Sequence, residues 1–236
     1  MVAVSPATSL TIAQSPFDSN YQQDRLSAMD NPDSTLGGQK LHNILGIVGS
    51  PRKSGNTELL VERVLDAARR EGAATSLFAL AGRKIEPCLA CDECVGGPPE
   101  FCVQDDDMSE LYPLMLWADA IVFGTPVYMG TMTAQLKAVF DRARPLWLMD
   151  NALSRKVAAA IAVGEGRWGG QELAIQQIYW AALNHGMIVV GGACLPYGNW
   201  EVCGVAGEPG AILNDADALS AADGLGRRLA RLKISA

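Results

Sequence analysis

The chain has 236 residues, an apolar fraction of 49% and a formal net charge of −7, which suits one α/β domain with appendages better than two full domains. So acidic a chain lacks the basic face that a general nucleic-acid binder needs for phosphates. No apolar run approaches the ~20 residues that span a bilayer, and residues 1–40 show no basic segment leading into an apolar one, so a cytoplasmic protein without a membrane partner is expected.

Residues 1–40 are rich in Ser, Asp, Asn, Gln and Pro and carry no sustained period, so they read as an extension to a domain at 41–236. Three readings of the extension stand side by side. It is disordered, or an arm packing on a neighbouring subunit through Leu10, Ile12, Phe17 and Tyr21, or a stretch upstream of a true start at Met29. The apolar run Ile44–Val48 predicts a strand buried on both faces. Leu59, Leu60, Val61, Val64, Leu65 and Ala68 then recur at helical spacing. Between them lies Gly49-Ser50-Pro51-Arg52-Lys53-Ser54-Gly55-Asn56-Thr57. A hydroxyl-rich loop between a buried strand and a helix N-terminus is an anion site: backbone amides and the helix dipole favour a phosphate, Ser50, Ser54, Asn56 and Thr57 add donors, and Arg52 and Lys53 add countercharge. The loop is neither G-x-G-x-x-G nor G-x-x-x-x-G-K-[ST], which excludes the dinucleotide and triphosphate fingerprints and favours the phosphate of a flavin mononucleotide.

Ala74–Leu80 predicts a second strand, residues 86–107 break the pattern, and Met108–Trp117 predicts a short helix with Asp107 as its cap. A third strand, Ala120–Gly124, runs into Thr125-Pro126-Val127-Tyr128-Met129-Gly130, and Thr133–Arg142 reads as helix. A fourth strand, Val157–Val163, ends in a glycine-rich loop from Gly164 to Gly170. Gln171–Asn184 is helical, Met187–Val190 a fifth strand, and Asp215–Lys233 a last amphipathic helix. Strands alternating with helices imply a doubly wound parallel sheet. With a phosphate loop after the first strand, the expected order is the flavodoxin-like 2-1-3-4-5, with its ligand crevice at the carboxyl ends of strands 1 and 3. The loops at Ser50–Thr57, Thr125–Gly130 and Gly164–Gly170 then line one crevice, with Tyr128 as an aromatic wall and glycines allowing close backbone approach.

Ser50-Pro51-Arg52-x-Ser54-Gly55-Asn56-Thr57, Thr125-Pro126-Val127-Tyr128-Met129-Gly130 and Gly169-Gly170-Gln171-Glu172 resemble the NADPH-dependent FMN reductase group of flavodoxin-like proteins, over roughly residues 43–195. The resemblance implies that Ser50, Arg52, Ser54, Gly55, Asn56 and Thr57 hold the FMN phosphate. Thr125, Pro126, Val127, Tyr128, Met129 and Gly130 would line the flavin ring, with Gly164, Gly169 and Gly170 on the other side. It also implies a homodimer or homotetramer, and NAD(P)H as a transient donor. No acid–base side chain is singled out as catalytic.

Cys88, Cys91 and Cys94 stand in C-x2-C-x2-C spacing, with Cys102 after a segment containing Gly96, Gly97, Pro98 and Pro99. Short gaps of this kind direct thiolates to separate irons of one cluster. The location inside a flavodoxin-like chain resembles the iron–sulfur flavoprotein family, which implies a [4Fe–4S] cluster on these four residues. Zinc, disulfides and plain thiols are the competing readings. Glu86, Asp92, Glu93, Glu100, Asp105, Asp106 and Asp107 crowd the segment with no base among them; such negative charge lowers a cluster's potential. His42, His185, Cys194 and Cys203 read as structural, although the loop with Pro196, Tyr197 and Trp200 can cover a flavin. The expected function is a flavin-dependent oxidoreductase. It passes electrons between the cluster, FMN and a small-molecule acceptor (quinone, oxygen or peroxide), with a ferredoxin as a candidate donor. A cluster-free NAD(P)H-dependent reductase and a non-enzymatic flavodoxin-like carrier are the alternatives.

Overall fold

The computed structural model describes residues 39–40, 43–95, 101–192 and 202–234. The expectations for residues 1–38, His42, the Gly96–Glu100 segment and the loop around Cys194 and Trp200 fall outside them.

Five parallel strands form the body of the sheet. They are β2 (Asn43–Val48), β3 (Ala74–Ala79), β4 (Ala120–Pro126), β5 (Val157–Gly164) and β6 (Ile188–Val189), in the order β3-β2-β4-β5-β6. This is the expected 2-1-3-4-5 order. β2 sits between β3 and β4 in parallel register, with Ile44 opposite both Thr75 and Ala120. Every residue of β5 is buried, as a central strand covered on both faces requires.

Alternate residues of the strands feed two cores, because side chains point to opposite faces with period two. Leu45, Ile47, Ile121, Phe123, Ala158 and Ala160 face α2 (Met108–Trp117), α3 (Ala134–Arg142) and α5 (Gln171–Asn184). Ile44, Val48, Val122, Val157, Ala159 and Ile161 face α1 (Asn56–Arg70) and α6 (Ala216–Arg231). No helix among the described residues is long and apolar enough to cross a membrane.

Four features differ from expectation. The edge beside β5 is filled by two strands in series. β6 pairs with Val157 and Ala158, and β7 (Val202–Val205) pairs with Ile161–Gly164. β7 is a four-residue strand too short, and too glycine-broken, to announce itself by periodicity. A five-residue helix, α4 (Arg144–Leu148), follows α3 with a proline in its first turn. A two-stranded ribbon joins β1 (Gln39–Lys40) to β8 (Lys233–Ile234). Finally, Asp107 occupies the cap position of α2, but its side chain does not cap the helix. Its carboxylate accepts from Lys84 N, while Asp106 Oδ1 accepts from Met108 N at 3.1 Å.

Candidate functional site

A cavity of about 350 Å³ opens at the carboxyl ends of β2, β4 and β5, lined by Ser50, Arg52, Asn56, Thr57, Pro126, Val127, Tyr128, Val163, Gly164, Glu165, Ala206 and Gly207. Its size falls within the usual range for small-molecule sites. All three loops expected to converge do so.

The first loop is pinned before it reaches the cavity. Gly49 N donates to Gly124 O at 2.7 Å, and Thr133 Oγ1 donates to Gly49 O at 2.7 Å. A Cβ at Gly49 would stand 2.7 Å from Leu136 Cβ, so only glycine lets the loop pass α3 this closely. Ser50 Oγ accepts from Arg52 N at 3.1 Å, and Ser54 N donates to Glu58 Oε2 at 2.8 Å. Gly55 stands at the cap of α1, where no side chain caps the helix. The first-turn amides of Asn56, Thr57 and Glu58 therefore have no intrahelical acceptor and face outward. Glu58 is the one acid in that turn. Asn56 is used differently from expectation. Its Nδ2 donates to Glu208 O at 2.8 Å and its Oδ1 accepts from Ile212 N at 3.3 Å, so it braces the 206–212 segment.

The second loop continues the ladder, with Val127 N donating to Val163 O at 2.9 Å. Thr125 is fully buried behind the cavity, not on its wall. Its hydroxyl accepts from Thr133 N at 3.1 Å and donates to Pro126 O at 2.9 Å. Tyr128 and Thr131 bond reciprocally across a two-residue turn in which Met129 and Gly130 both take positive φ, +50° and +80°, the geometry of a tight primed hairpin turn. Met129 is left wholly exposed at the tip, and Tyr128 forms the wall.

In the third loop, a Cβ at Gly170 would lie 3.1 Å from Gly130 Cα, so the two glycines let the second and third loops touch. Gly169 and Gly170 thus shape the wall without lining it. Buried Gln171 organises this loop: its Oε1 accepts from Gly169 N at 2.7 Å, and its Nε2 donates to Gly166 O at 2.7 Å and to Gly204 O at 3.3 Å. Arg167 pairs with the nearly buried Asp215, which also accepts from Val205 N and Ala218 N. Of the fifteen residues expected at the flavin, eight line the cavity; Ser54, Gly55, Thr125, Met129, Gly130, Gly169 and Gly170 stand behind or beside it. Ala206 and Gly207 were missed because β7, which delivers them, was missed.

The four cysteines gather elsewhere. Cys88, Cys91, Cys94 and Cys102 line one crevice with Leu89, Asp92, Val103, Gln104, Asp141, Arg142, Arg144 and Pro145. Cys88 and Cys91 are exposed and the other two half-buried. Hydrogen-bond donors approach three of the sulfurs: Ala90 N to Cys88 at 3.4 Å, Arg144 Nη1 to Cys94 at 3.9 Å and Gln104 Nε2 to Cys102 at 4.0 Å. Among the described residues no three His, Cys, Asp or Glu side chains converge on a point where one metal ion could sit. A cubane asks for a different arrangement, four sulfurs around its periphery with one on each iron. The donor set fits that group. The crevice itself is small, about 20 Å³.

The base of this loop is closed by a buried clasp. Arg142 donates to both oxygens of Asp106, at 2.7 and 2.9 Å, and to Glu86 O at 2.9 Å, while Glu86 N donates to Asp106 Oδ2 at 3.0 Å. Burial alone would raise the Asp106 pKa; the bonds from Arg142 and from the Glu86 and Met108 amides outweigh it and hold the carboxyl below its usual range. The acids of 86–107 are therefore not left without bases. Lys84, Arg142 and Arg144 supply them from outside the segment.

The sequence profile of the family described as NADPH-dependent FMN reductase matches residues 42–201. An iron-sulfur flavoprotein of Methanocaldococcus jannaschii is 42% identical over 189 residues, covering 80% of this chain and 96% of that protein. An iron-sulfur flavoprotein of Methanosarcina thermophila is 47% identical over 149 residues, 63% of this chain and 76% of that one. Among solved structures, the Trp repressor binding protein of Bacillus subtilis superposes with a TM-score of 0.57 at 29% identity, covering 77% of this chain and 99% of that one.

Proposed function

The chain belongs to the NADPH-dependent FMN reductase family and is a flavin-dependent oxidoreductase, and from that premise we propose that it moves electrons between a [4Fe–4S] cluster on Cys88, Cys91, Cys94 and Cys102, an FMN in the cavity, and a small acceptor such as a quinone. The observation that carries this reading is the pairing of two separate sites in one domain: an anion-receptive cavity at the strand ends and four thiols around one crevice. Bound, the two cofactors would supply all the redox chemistry. The protein's part is binding and placement. The amides of Asn56, Thr57 and Glu58, with Ser50 and Arg52, receive the phosphate. Pro126, Val127 and Tyr128 wall the ring on one side, and Gly164 supplies backbone on the other. NAD(P)H and a ferredoxin are the candidate electron donors.

A second reading, a cluster-free NAD(P)H-dependent reductase, draws on the small volume of the cysteine crevice. Turnover with NAD(P)H by iron-free protein would favour it.

The phosphate assignment is tested by replacing Arg52 and Thr57 together with Ala. Losing a charged hydrogen-bond partner costs about 1.5–3 kcal/mol, so FMN affinity should fall roughly ten- to a hundredfold with the fold unchanged by circular dichroism. A double variant that purifies with full flavin occupancy overturns the assignment.

A further inference from the structure

The short limb that carries three of the cysteines is unusual in its backbone. Ala90 and Asp92 both adopt positive φ, +50° and +60°, so the chain folds back on itself between Cys88 and Cys94. Left-handed backbone at non-glycine residues persists only where surroundings hold it. Asp141, Arg142 and Arg144 of the domain body line the crevice beside this limb, and Arg144 is the one that bonds to it. Arg144 opens α4, directly after the buried Arg142 and Ala143, and its Nη1 donates to Asp92 Oδ1 at 2.5 Å and to Cys94 Sγ at 3.9 Å. The α3–α4 junction thus presents two arginines to one loop. Arg142 faces inward and closes its base, while Arg144 faces outward and grips its thiol limb.

We infer that Arg144 is the positioning residue of the cysteine limb and sets the reduction potential of the cluster it holds. The inference rests on the cluster reading above. One-electron reduction adds a negative charge to a centre already surrounded by thiolates. A guanidinium bonded to one of those sulfurs favours the added charge, and cluster potentials follow both net local charge and hydrogen bonds to sulfur. Asp92, on the other end of the same guanidinium, opposes it. The two residues therefore pull the potential in opposite directions, although they form one pair. Both side chains are substantially exposed, 36% for Arg144 and 67% for Asp92, so the pair contributes little to stability and either residue can be replaced without loss of the fold.

The test uses anaerobically purified full-length holoprotein, as wild type, Arg144→Gln, Arg144→Lys and Asp92→Asn. Each is titrated with dithionite as electron donor, with electron paramagnetic resonance reading the cluster, absorbance reading the flavin, and iron measured per FMN. Arg144→Gln should lower the cluster midpoint by at least tenfold in the one-electron equilibrium, about 59 mV. Asp92→Asn should raise it, Arg144→Lys should stay near wild type, and the flavin potential should not move. A merely structural pair would shift both neutral variants in the same direction. That result overturns the assignment, as do unmoved potentials with iron retained, and in both cases the cluster reading survives. Iron lost from Arg144→Gln but kept in Arg144→Lys supports it. Wild-type protein without iron overturns the cluster reading and this inference together.

Discussion

At the scale of single residues, the Arg142–Asp106 pair shows how much chemistry lies out of reach of local pattern. Arg142 ends an amphipathic helix, where a cation ordinarily points to water and faces the negative end of the dipole. Here its side chain is 1% exposed and that of Asp106 2%, so both charges are desolvated and depend on each other. Removing one partner of such a pair costs about 3–5 kcal/mol, because the other is left buried and uncompensated. Asp106→Ala should lose that amount in urea denaturation of the apoprotein. Since the folded-state pKa of Asp106 is depressed, the stability it contributes is present above the ordinary carboxylate range and lost as pH falls below that range through the depressed folded-state pKa. The variant should therefore also show a flatter acid limb. His185 has the opposite chemistry. Burial lowers its pKa more than the Phe140 carbonyl, which accepts from Nε2 at 3.2 Å, and the nearby Asp141 raise it. Its Nδ1 is buried without a partner, which suits a neutral ring. The unfolded chain then binds the proton more readily, so stability is full above about pH 6.5 and declines below it. His185→Gln, which retains a donor for Phe140, should narrow that decline; identical pH profiles would contradict the assignment.

At the scale of elements, α1, α3 and α6 were legible because each presents one apolar face. α1 and α6 carry their leucines and valines at helical spacing, and they pack against each other over the second core. What brings them together was not legible. A Cβ at Gly226, in the middle of α6, would stand 2.2 Å from Val64 O and 2.7 Å from Ala67 Cβ of α1. Read locally, a mid-helix glycine is a defect that Ala would repair by about 1 kcal/mol. In place, the nearest atom is a backbone oxygen that cannot rotate away, and overpacking of this kind costs about 1–3 kcal/mol. Gly226→Ala should therefore lower the melting temperature of the apoprotein, whereas a rise would show that the helices have room to separate. The same limit explains the other omissions. β7 was hidden because its partner register with β5 is a long-range fact. The burial of Thr125 behind the cavity and the second task of Asn56, bracing the 206–212 segment while it lines the cavity, were hidden because their bonds join residues far apart in sequence or out of view of the motif. The loops that converge on the cavity were legible because each sits at a strand end, which the alternation of strands and helices had already placed.

At the scale of the molecule, the two sites share one strut. α3 is capped by Thr133, whose side chain also bonds Gly49 beneath the cavity, and ends at Arg142, which closes the base of the cysteine loop. Nine helical residues span about 14 Å, so a single rigid element fixes the cavity floor and the thiol loop relative to each other. The sites nevertheless share no lining residue, and each should be removable without the other. The measurement that tests this most directly is iron and FMN analysis of anaerobically purified wild type beside Cys91→Ala. Wild type should be brown with about four irons per FMN, and Cys91→Ala should lose the iron and keep the yellow flavin. Wild type that carries FMN but no iron would contradict the account.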